Sequence, residues 1–210
     1  MQITALRLAR DEALVIVDVD EVLALFVEGF SSFAHAQGYE LRLERFALFQ
    51  NLYRRGEAVA APLSEGRALF DAFFALETHD LRVAPGAVQA LEGLAQCARV
   101  VILTNAPAVS RPARTRWLAD RGLPYDLVIG SGPKGPAVAA MAAGCERPVA
   151  FVDDLLANLD SVAEAAPHVH RFQSVADVRL RPMAPTAPER HARFDDWTLL
   201  GPAIAARLGV

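Results

Sequence analysis

The chain has 210 residues, a net charge of −4 and a hydrophobic fraction of 53%. These values predict a packed globular protein, with one main domain and an insertion, and exclude a disordered chain. Acidic and basic residues are mixed along the sequence, so no basic face for nucleic acid is expected.

No apolar run reaches the length of about 18 residues that a membrane span requires. The best candidate, residues 13–27, is interrupted by Asp18, Asp20 and Glu21. The N-terminus has no basic stretch that leads into an apolar one, so no secretion signal is expected. The two cysteines, Cys97 and Cys145, fit a reducing compartment. We therefore expect a cytoplasmic protein with no membrane partner.

The first predicted strand, residues 13–19, is a β-branched apolar run that ends in acidic residues. Such a run is typical of a parallel strand that is covered on both faces. Asp18 and Asp20 stand at its carboxyl end, where burying charge is costly unless a cation compensates it. An Asp-x-Asp pair by itself also occurs by chance, so this signal needs support from other residues.

The segment from residue 25 to residue 83 contains no convincing strand pattern. We predict three or four helices there, for example over residues 43–54 and 65–77, because Gly38, Gly56 and Pro62 interrupt the chain. Ten of the sixteen aromatic residues lie between Phe26 and Phe74, which favours a core of its own. The expected organisation is a small all-helical cap domain (25–83) inserted into an α/β core domain (1–24 and 84–210).

Strand and helix patterns alternate through the rest of the chain. Further strands are predicted at residues 99–103, 126–129, 148–152 and, more weakly, 168–172. Helices are predicted at residues 85–96, 109–121, 134–143 and 155–166, and a closing helix at 195–208. This alternation predicts a Rossmann-like parallel sheet that is flanked by helices.

Polar residues follow the ends of these strands. Thr104 and Asn105 can donate hydrogen bonds to an anion, although both residue types also favour turns. Lys134 is the only lysine of the chain and lies at a helix N-terminus, where its charge opposes the helix dipole. Asp153 and Asp154 are adjacent carboxylates that a divalent cation with oxygen ligands, such as Mg²⁺, would stabilise. Taken singly, each signal also fits a surface, turn or capping role.

Taken together, these residues resemble the four motifs of the haloacid dehalogenase superfamily. The matches are Asp18-Val19-Asp20, Thr104, Lys134 and Asp153-Asp154, over residues 13 to about 161. The resemblance implies a phosphatase acting on a small phosphorylated metabolite, in which Asp18 is the nucleophile and Asp20 the general acid and base. It further implies that Thr104, Lys134 and Asn105 bind the phosphoryl group. Mg²⁺ would be held by Asp18, the Asp20 carbonyl and Asp153 or Asp154.

Three alternatives stay open at this point. A phosphotransferase or phosphomutase of the same superfamily would share every residue named, and a catalytically silent relative would bind phosphate only. A signalling receiver module also uses Asp, Thr and Lys, but there the phosphorylated Asp lies on the third strand. The chain departs from the superfamily at Glu21, where many members have glycine. The motif Asp-x-Asp-Glu-Val-Leu is a faint hint of a nucleotide substrate, and a sugar phosphate is the other expectation.

Overall fold

A six-stranded sheet organises the molecule, which is described by a computed structural model over residues 6, 8–77 and 80–210. In chain order, the described helices and strands are β1 (Ala13–Val17), α1 (Phe26–Ala36), β2 (Tyr39–Leu41), β3 (Leu52–Arg54), α2 (Leu63–Phe74), α3 (Ala87–Leu94), β4 (Ala98–Thr104), α4 (Arg111–Asp120), β5 (Asp126–Ile129), α5 (Gly135–Ala142), β6 (Val149–Asp153), α6 (Leu156–Ala165), β7 (His170–Gln173), β8 (Ala192–Arg193) and α7 (Trp197–Leu208). Short 3-10 turns precede β3 and α4.

All neighbouring strands of the large sheet pair in parallel, in the order β5-β4-β1-β6-β7-β8. The chain thus has the α/β, Rossmann-like architecture that the alternating pattern predicts, and each strand predicted from an apolar run is present. The two-residue strand β8 was not predicted, because it follows a Pro-rich segment and carries no apolar run.

Apolar residues cover both faces of the sheet, which explains why β1 lacks alternation of polar and apolar residues. Val15 and Val17 face one hydrophobic cluster, which includes residues of α3, α4 and α7. Leu14 and Ile16 face a second cluster, which is built with α5 and α6. Since both faces are buried, the carboxyl edge of the sheet is left as the natural place for polar chemistry.

The insertion differs from the all-helical prediction. It contains the helices α1 and α2, but an antiparallel pair of short strands, β2 and β3, lies between them. The helix predicted over residues 43–54 is wrong. The segment instead forms bends, a 3-10 turn and β3.

The buried side chain of Asn51 gives a physical reason for this difference. Its Nδ2 donates to the carbonyls of Arg45 at 2.8 Å and Ala47 at 2.6 Å, and its Oδ1 accepts from the Glu44 amide at 3.4 Å. An asparagine that bonds nearby backbone in this way competes with helical hydrogen bonds. Strand pairing with β2 then overrides the apolar spacing from which the helix was predicted.

The aromatic residues of the insertion pack against one another and against the sheet. Phe26 lies within 6.1 Å, between ring centroids, of the four rings of Phe30, Phe70, Phe73 and Phe74. This cluster is continuous with the hydrophobic core on one face of the sheet, while a smaller cluster lies within the insertion itself. The division into a core domain and a cap domain stays a prediction. Among the described helices, none has the length and apolar character needed to cross a membrane.

Candidate active site

The structure brings the predicted site residues together at the carboxyl edge of the sheet. Asp18 directly follows β1, Thr104 ends β4, Lys134 is the N-cap of α5 and Asp153 ends β6. A cavity of about 280 Å³ opens beside them. Its polar lining includes all the predicted site residues except one, namely Asp18, Asp20, Thr104, Asn105, Lys134 and Asp154. Asp153 is fully buried and is absent from that lining.

Lys134 is the electrostatic centre of the site. Its Nζ lies 2.6 Å from Oδ1 of Asp18 and 2.7 Å from Oδ2 of Asp153. Only 3% of Lys134 is exposed, so the alternative of a solvated surface lysine is excluded. A buried ammonium needs such charged partners, because otherwise it would lose its proton.

Close packing between α5 and α6 fixes the backbone that carries Lys134. The Gly135 amide donates to Oγ of Ser161 at 3.1 Å. A Cβ at Gly135 would lie 2.2 Å from the Ser161 carbonyl oxygen, so only glycine allows this approach. The Lys-Gly sequence thus permits the helix N-terminus to sit against α6 with the lysine side chain directed to the carboxylates.

Burial shifts the acid–base behaviour of the carboxylates. Burial, reinforced by the negative charges of Asp153 and Asp20, raises the pKa of Asp18 to about 7, although Lys134 opposes the shift. Burial and the charge of Asp153 likewise raise the pKa of Asp154 well above its ordinary value. For Lys134, burial lowers the pKa, but Asp153 and Asp18 outweigh it and the net shift is upward. The site therefore carries more negative charge than its one lysine balances.

The donor set fits a divalent cation of the magnesium type. Among the residues described, Asp18, Asp153 and Asp154 are the acidic group whose ligand oxygens lie within 4.8 Å of one another. Carboxylate oxygens are the ligands that such hard cations prefer. The excess negative charge and the raised pKa values of Asp18 and Asp154 are what a bound cation would relieve.

Asp153 and Asp154 differ in their surroundings. Asp153 Oδ1 accepts hydrogen bonds from the Leu155 amide at 2.9 Å and from Asn158 at 3.0 Å, while its Oδ2 contacts Lys134 and Asn158. Asp154 lines the cavity, and no hydrogen bond to its carboxylate is found within the described part of the chain. The two adjacent acids thus have separate environments. Asp153 organises the loop that follows β6, and Asp154 faces the cavity.

Thr104 and Asn105 hold the tip of β4. The Thr104 Oγ1 accepts from the Ala106 amide at 3.2 Å, and the Asn105 Nδ2 donates to the Gly132 carbonyl at 2.8 Å. The hydrogen bonds of a turn, which the sequence offered as an alternative to a functional role for these residues, are therefore present. Both residues also line the cavity, so the two roles are compatible.

Arg114 is a site neighbour that sequence reasoning missed. This residue of α4 is fully buried, and its Nη2 donates to Oδ1 of Asp20 at 2.8 Å. Its guanidinium carbon lies 5.3 Å from the ring of Phe74 and 5.9 Å from that of Trp117. The helix carries arginines at 111, 114 and 116, and Arg114 stands three and four residues before the apolar Trp117 and Leu118, a helical spacing that could have indicated the buried one.

Glu21 connects the Asp20 loop to two other segments. Its carboxylate accepts from the amides of Val27 at 2.6 Å and Asp177 at 3.2 Å. Its φ of 61° lies in the left-handed region, which glycine adopts more readily than glutamate. Burial raises the pKa of Glu21 to about 7, with the Val27 amide opposing the shift. The extra acid therefore has a structural task at the start of α1.

Comparisons with known proteins find similarity at the level of structure. No family model matches the sequence, and no curated protein matches it. A hydrolase of the haloacid dehalogenase superfamily from Bacillus subtilis, YfnB, whose structure contains magnesium, superposes with a TM-score of 0.60 at 14% identity and covers 96% of this chain and 100% of its own. A superfamily hydrolase from Ehrlichia chaffeensis gives a TM-score of 0.56 at 15% identity, covering 95% of this chain and 98% of its own.

A third solved structure carries a different assignment. A protein from Thermotoga maritima, assigned as a β-phosphoglucomutase, gives a TM-score of 0.55 at 16% identity, with coverage of 92% of this chain and 99% of its own. Identities this low carry information on fold, while activity has to be argued from the site. The chain therefore has the fold of the haloacid dehalogenase superfamily of hydrolases.

Proposed function

We propose that the protein is a magnesium-dependent phosphomonoesterase that acts through an aspartyl-phosphate on Asp18. One observation carries this proposal. Asp18 lines the cavity, one of its carboxylate oxygens contacts Lys134, and the carboxylates of Asp153 and Asp154 lie beside it. A carboxylate nucleophile and an anionic phosphate repel each other unless cations lie close to both. The solved structures of the same fold include superfamily hydrolases, which supports this class of chemistry.

The reaction has two displacements. In the first, an oxygen of Asp18 forms a bond to phosphorus, the bond to the ester oxygen breaks, and Asp20 gives its proton to that leaving oxygen. In the second, a water attacks the phosphorus of the aspartyl-phosphate while Asp20 takes a proton from the water. Inorganic phosphate leaves and the Asp18 carboxylate is restored. Lys134, Thr104 and Asn105 bind the phosphoryl oxygens throughout.

For the metal, we assign Asp18 and Asp154 as the side-chain ligands, together with the Asp20 carbonyl. Asp154 is favoured over Asp153 because the oxygens of Asp153 already accept from Lys134, Leu155 and Asn158. Asp153 then orients Lys134 and the loop. When bound, Mg²⁺ supplies neutralisation of charge on the phosphoryl oxygens and on Asp18.

A phosphomutase is the nearest alternative, since one solved structure of the same fold has that assignment. It would use the same acids and the same lysine, and a second hydroxyl of a sugar would replace water as the acceptor. The two activities separate in the product: a hydrolase releases inorganic phosphate, whereas a mutase returns a phosphate ester.

The proposed function is tested by measuring phosphate release from aryl, alkyl, sugar and nucleotide monoesters, with Mg²⁺ and with EDTA. We expect release from at least one ester that EDTA abolishes and added Mg²⁺ restores. Release that persists in EDTA would contradict the role of the metal. Folded protein that releases nothing from any ester, with Mg²⁺ present, would contradict the proposed hydrolase.

A further inference from the structure

We propose that the substrate is a phosphate monoester whose organic part is apolar and carries no second anionic group. This inference rests on the proposed function and narrows its substrate class. It replaces the sugar phosphate or nucleotide that the sequence led us to expect.

The two sides of the cavity differ sharply in chemistry. Every described residue that the insertion contributes to the lining is apolar: Phe26, Val27, Phe46, Ala47, Leu48 and Phe70. The polar lining residues all come from the sheet side, where the phosphate would bind. An ester whose phosphate meets Asp18 would therefore direct its organic part at a wall of aromatic and aliphatic groups.

Such a wall disfavours a sugar. The hydroxyl groups of a carbohydrate would lose their hydrogen bonds to water, and the apolar side chains offer none in return. An aromatic or alkyl group would instead gain from the same burial. The cavity volume of about 280 Å³ is close to the lower end of ligand pockets, which also favours a small organic part.

The charges of the lining disfavour a nucleotide polyphosphate or a bisphosphate. Lys134 is the cation of the described lining, and Asp18 and Asp153 already pair with it. The described lining offers no second cation, so a second anionic group would leave water without an ion-pair partner. Arg54 of the insertion pairs with Glu65 and is absent from the lining.

The test compares esters of primary alcohols, so that leaving groups are matched and the organic part alone varies. We expect kcat/KM for phenylethyl phosphate to exceed that for glycerol phosphate and for a hexose phosphate by about tenfold or more. Phenylethyl phosphate with a carboxylate on its ring is expected to react more slowly than phenylethyl phosphate itself. If the hexose or glycerol ester has the higher kcat/KM, the proposal is overturned while the proposed hydrolase stands.

A matched pair of variants tests the wall directly. Leu48 is half-buried and lines the cavity, whereas Leu63 lies in the same insertion, is 49% exposed and does not line it. We expect Leu48→Asn to lower kcat/KM for phenylethyl phosphate about fivefold or more, and Leu63→Asn to leave it unchanged. Equal effects of the two substitutions would overturn the proposal. Absence of metal-dependent release from every ester would instead count against the proposed function.

The structure also assigns Arg114 as the residue that positions Asp20. This second inference lies within the proposed function and rests on a different observation. The Nε and Nη1 of this buried guanidinium have no hydrogen-bond partner in the part of the chain that is described. Burying a cation that is so incompletely paired is unfavourable. The hydrogen bond to Asp20 is therefore the interaction that explains why an arginine is buried here. That contact is also the one side-chain hydrogen bond found for the Asp20 carboxylate among the described residues.

The test uses the dependence on the leaving group. An alkyl oxygen needs a proton as it leaves, whereas p-nitrophenolate does not, so a misplaced Asp20 should slow the first displacement selectively for alkyl esters. We expect Arg114→Met to lower kcat/KM, which reports the first displacement only, about a hundredfold for an alkyl phosphate and far less for p-nitrophenyl phosphate. Arg114→Lys should recover part of the loss, and the exposed neighbour Arg116→Met should have no effect.

A double variant separates positioning from a general loss of structure. If Arg114 acts through Asp20, adding Arg114→Met to Asp20→Asn should cause no further loss of kcat/KM on the alkyl ester. Equal losses of kcat/KM on both esters, or a full additional loss in the Asp20→Asn background, would overturn the assignment. Because Arg114→Lys keeps a buried cation, it provides the same comparison if Arg114→Met does not fold.

Discussion

Asp18→Asn is expected to lower kcat/KM by at least about a thousandfold, because the amide cannot form the aspartyl-phosphate. Asparagine has nearly the same shape as aspartate. The backbone N–H of residue 18, which donates to the Val152 carbonyl at 3.0 Å, is unaffected by the substitution. The circular dichroism spectrum should therefore be unchanged. Asp126→Asn is the matched control, since Asp126 is an exposed residue that pairs with Arg99 outside the site. Near-normal turnover in Asp18→Asn would show that the nucleophile is another group.

The same substitution is expected to stabilise the metal-free protein. The pKa of Asp18 is raised from 3.8 to about 7, so ionising this carboxyl opposes folding. This cost in the free energy of folding is absent below the pKa of Asp18 in the unfolded chain and grows as the pH rises. It is complete above about pH 7, where it amounts to at most about 4 kcal/mol.

Thermal unfolding in EDTA tests whether Asp18→Asn stabilises the metal-free protein. Asp18→Asn should unfold at a higher temperature than the wild type, by more at pH 8 than at pH 5. Asp126→Asn should show no such trend. A lower unfolding temperature for Asp18→Asn at pH 8 would mean that the Lys134 contact outweighs the burial of the charge.

The parts of the molecule that could be predicted from sequence are those in which one local signal dominates. The strand β1 is a run of buried apolar residues on a doubly covered sheet, and parallel strands place their carboxyl ends at one edge. It follows that Asp18, Thr104, Lys134 and Asp153, each near a strand end, come together without any knowledge of the loops.

The insertion shows where such reasoning fails. Residues 43–54 have apolar spacing that fits a helix, but Asn51 bonds the nearby backbone and β3 pairs with β2. Both effects depend on contacts that spacing does not reveal. The apolar wall of the cavity has the same origin, because Phe46 and Leu48 reach it through the bends that replace the predicted helix.

Arg114 was missed for a related reason. An arginine on a helix is ordinarily exposed, and burial of this one depends on Asp20, which is 94 residues away in sequence. Lys134 was easier to identify because it is the only lysine and lies where a cation is locally unfavourable. A polar residue in an unfavourable local position thus carries more information than one whose local position is ordinary.

Lys134→Met is expected to abolish turnover and to destabilise the protein strongly. The substitution leaves Asp18 and Asp153, which lie 2.6 and 2.7 Å from Nζ, buried without their shared cation. Removing one partner of a buried ion pair costs about 3–5 kcal/mol, which corresponds to a fall in the unfolding temperature of roughly 10 °C for a chain of this size. Arg10→Met is the control, because the Arg10–Glu146 pair is largely exposed and contributes little.

Adding Asp18→Asn to Lys134→Met tests whether charge balance is the cause. If unpaired carboxylates destabilise the Lys134→Met protein, removing one of them should recover part of the lost stability, by about 1–3 kcal/mol. The double variant should then unfold at a higher temperature than Lys134→Met alone while staying inactive. If instead the double variant is no more stable, the loss comes from packing of the Lys134 side chain, whose Nζ lies 5.9 Å from the ring of Phe151. The carboxylates would then not depend on Lys134 for their burial.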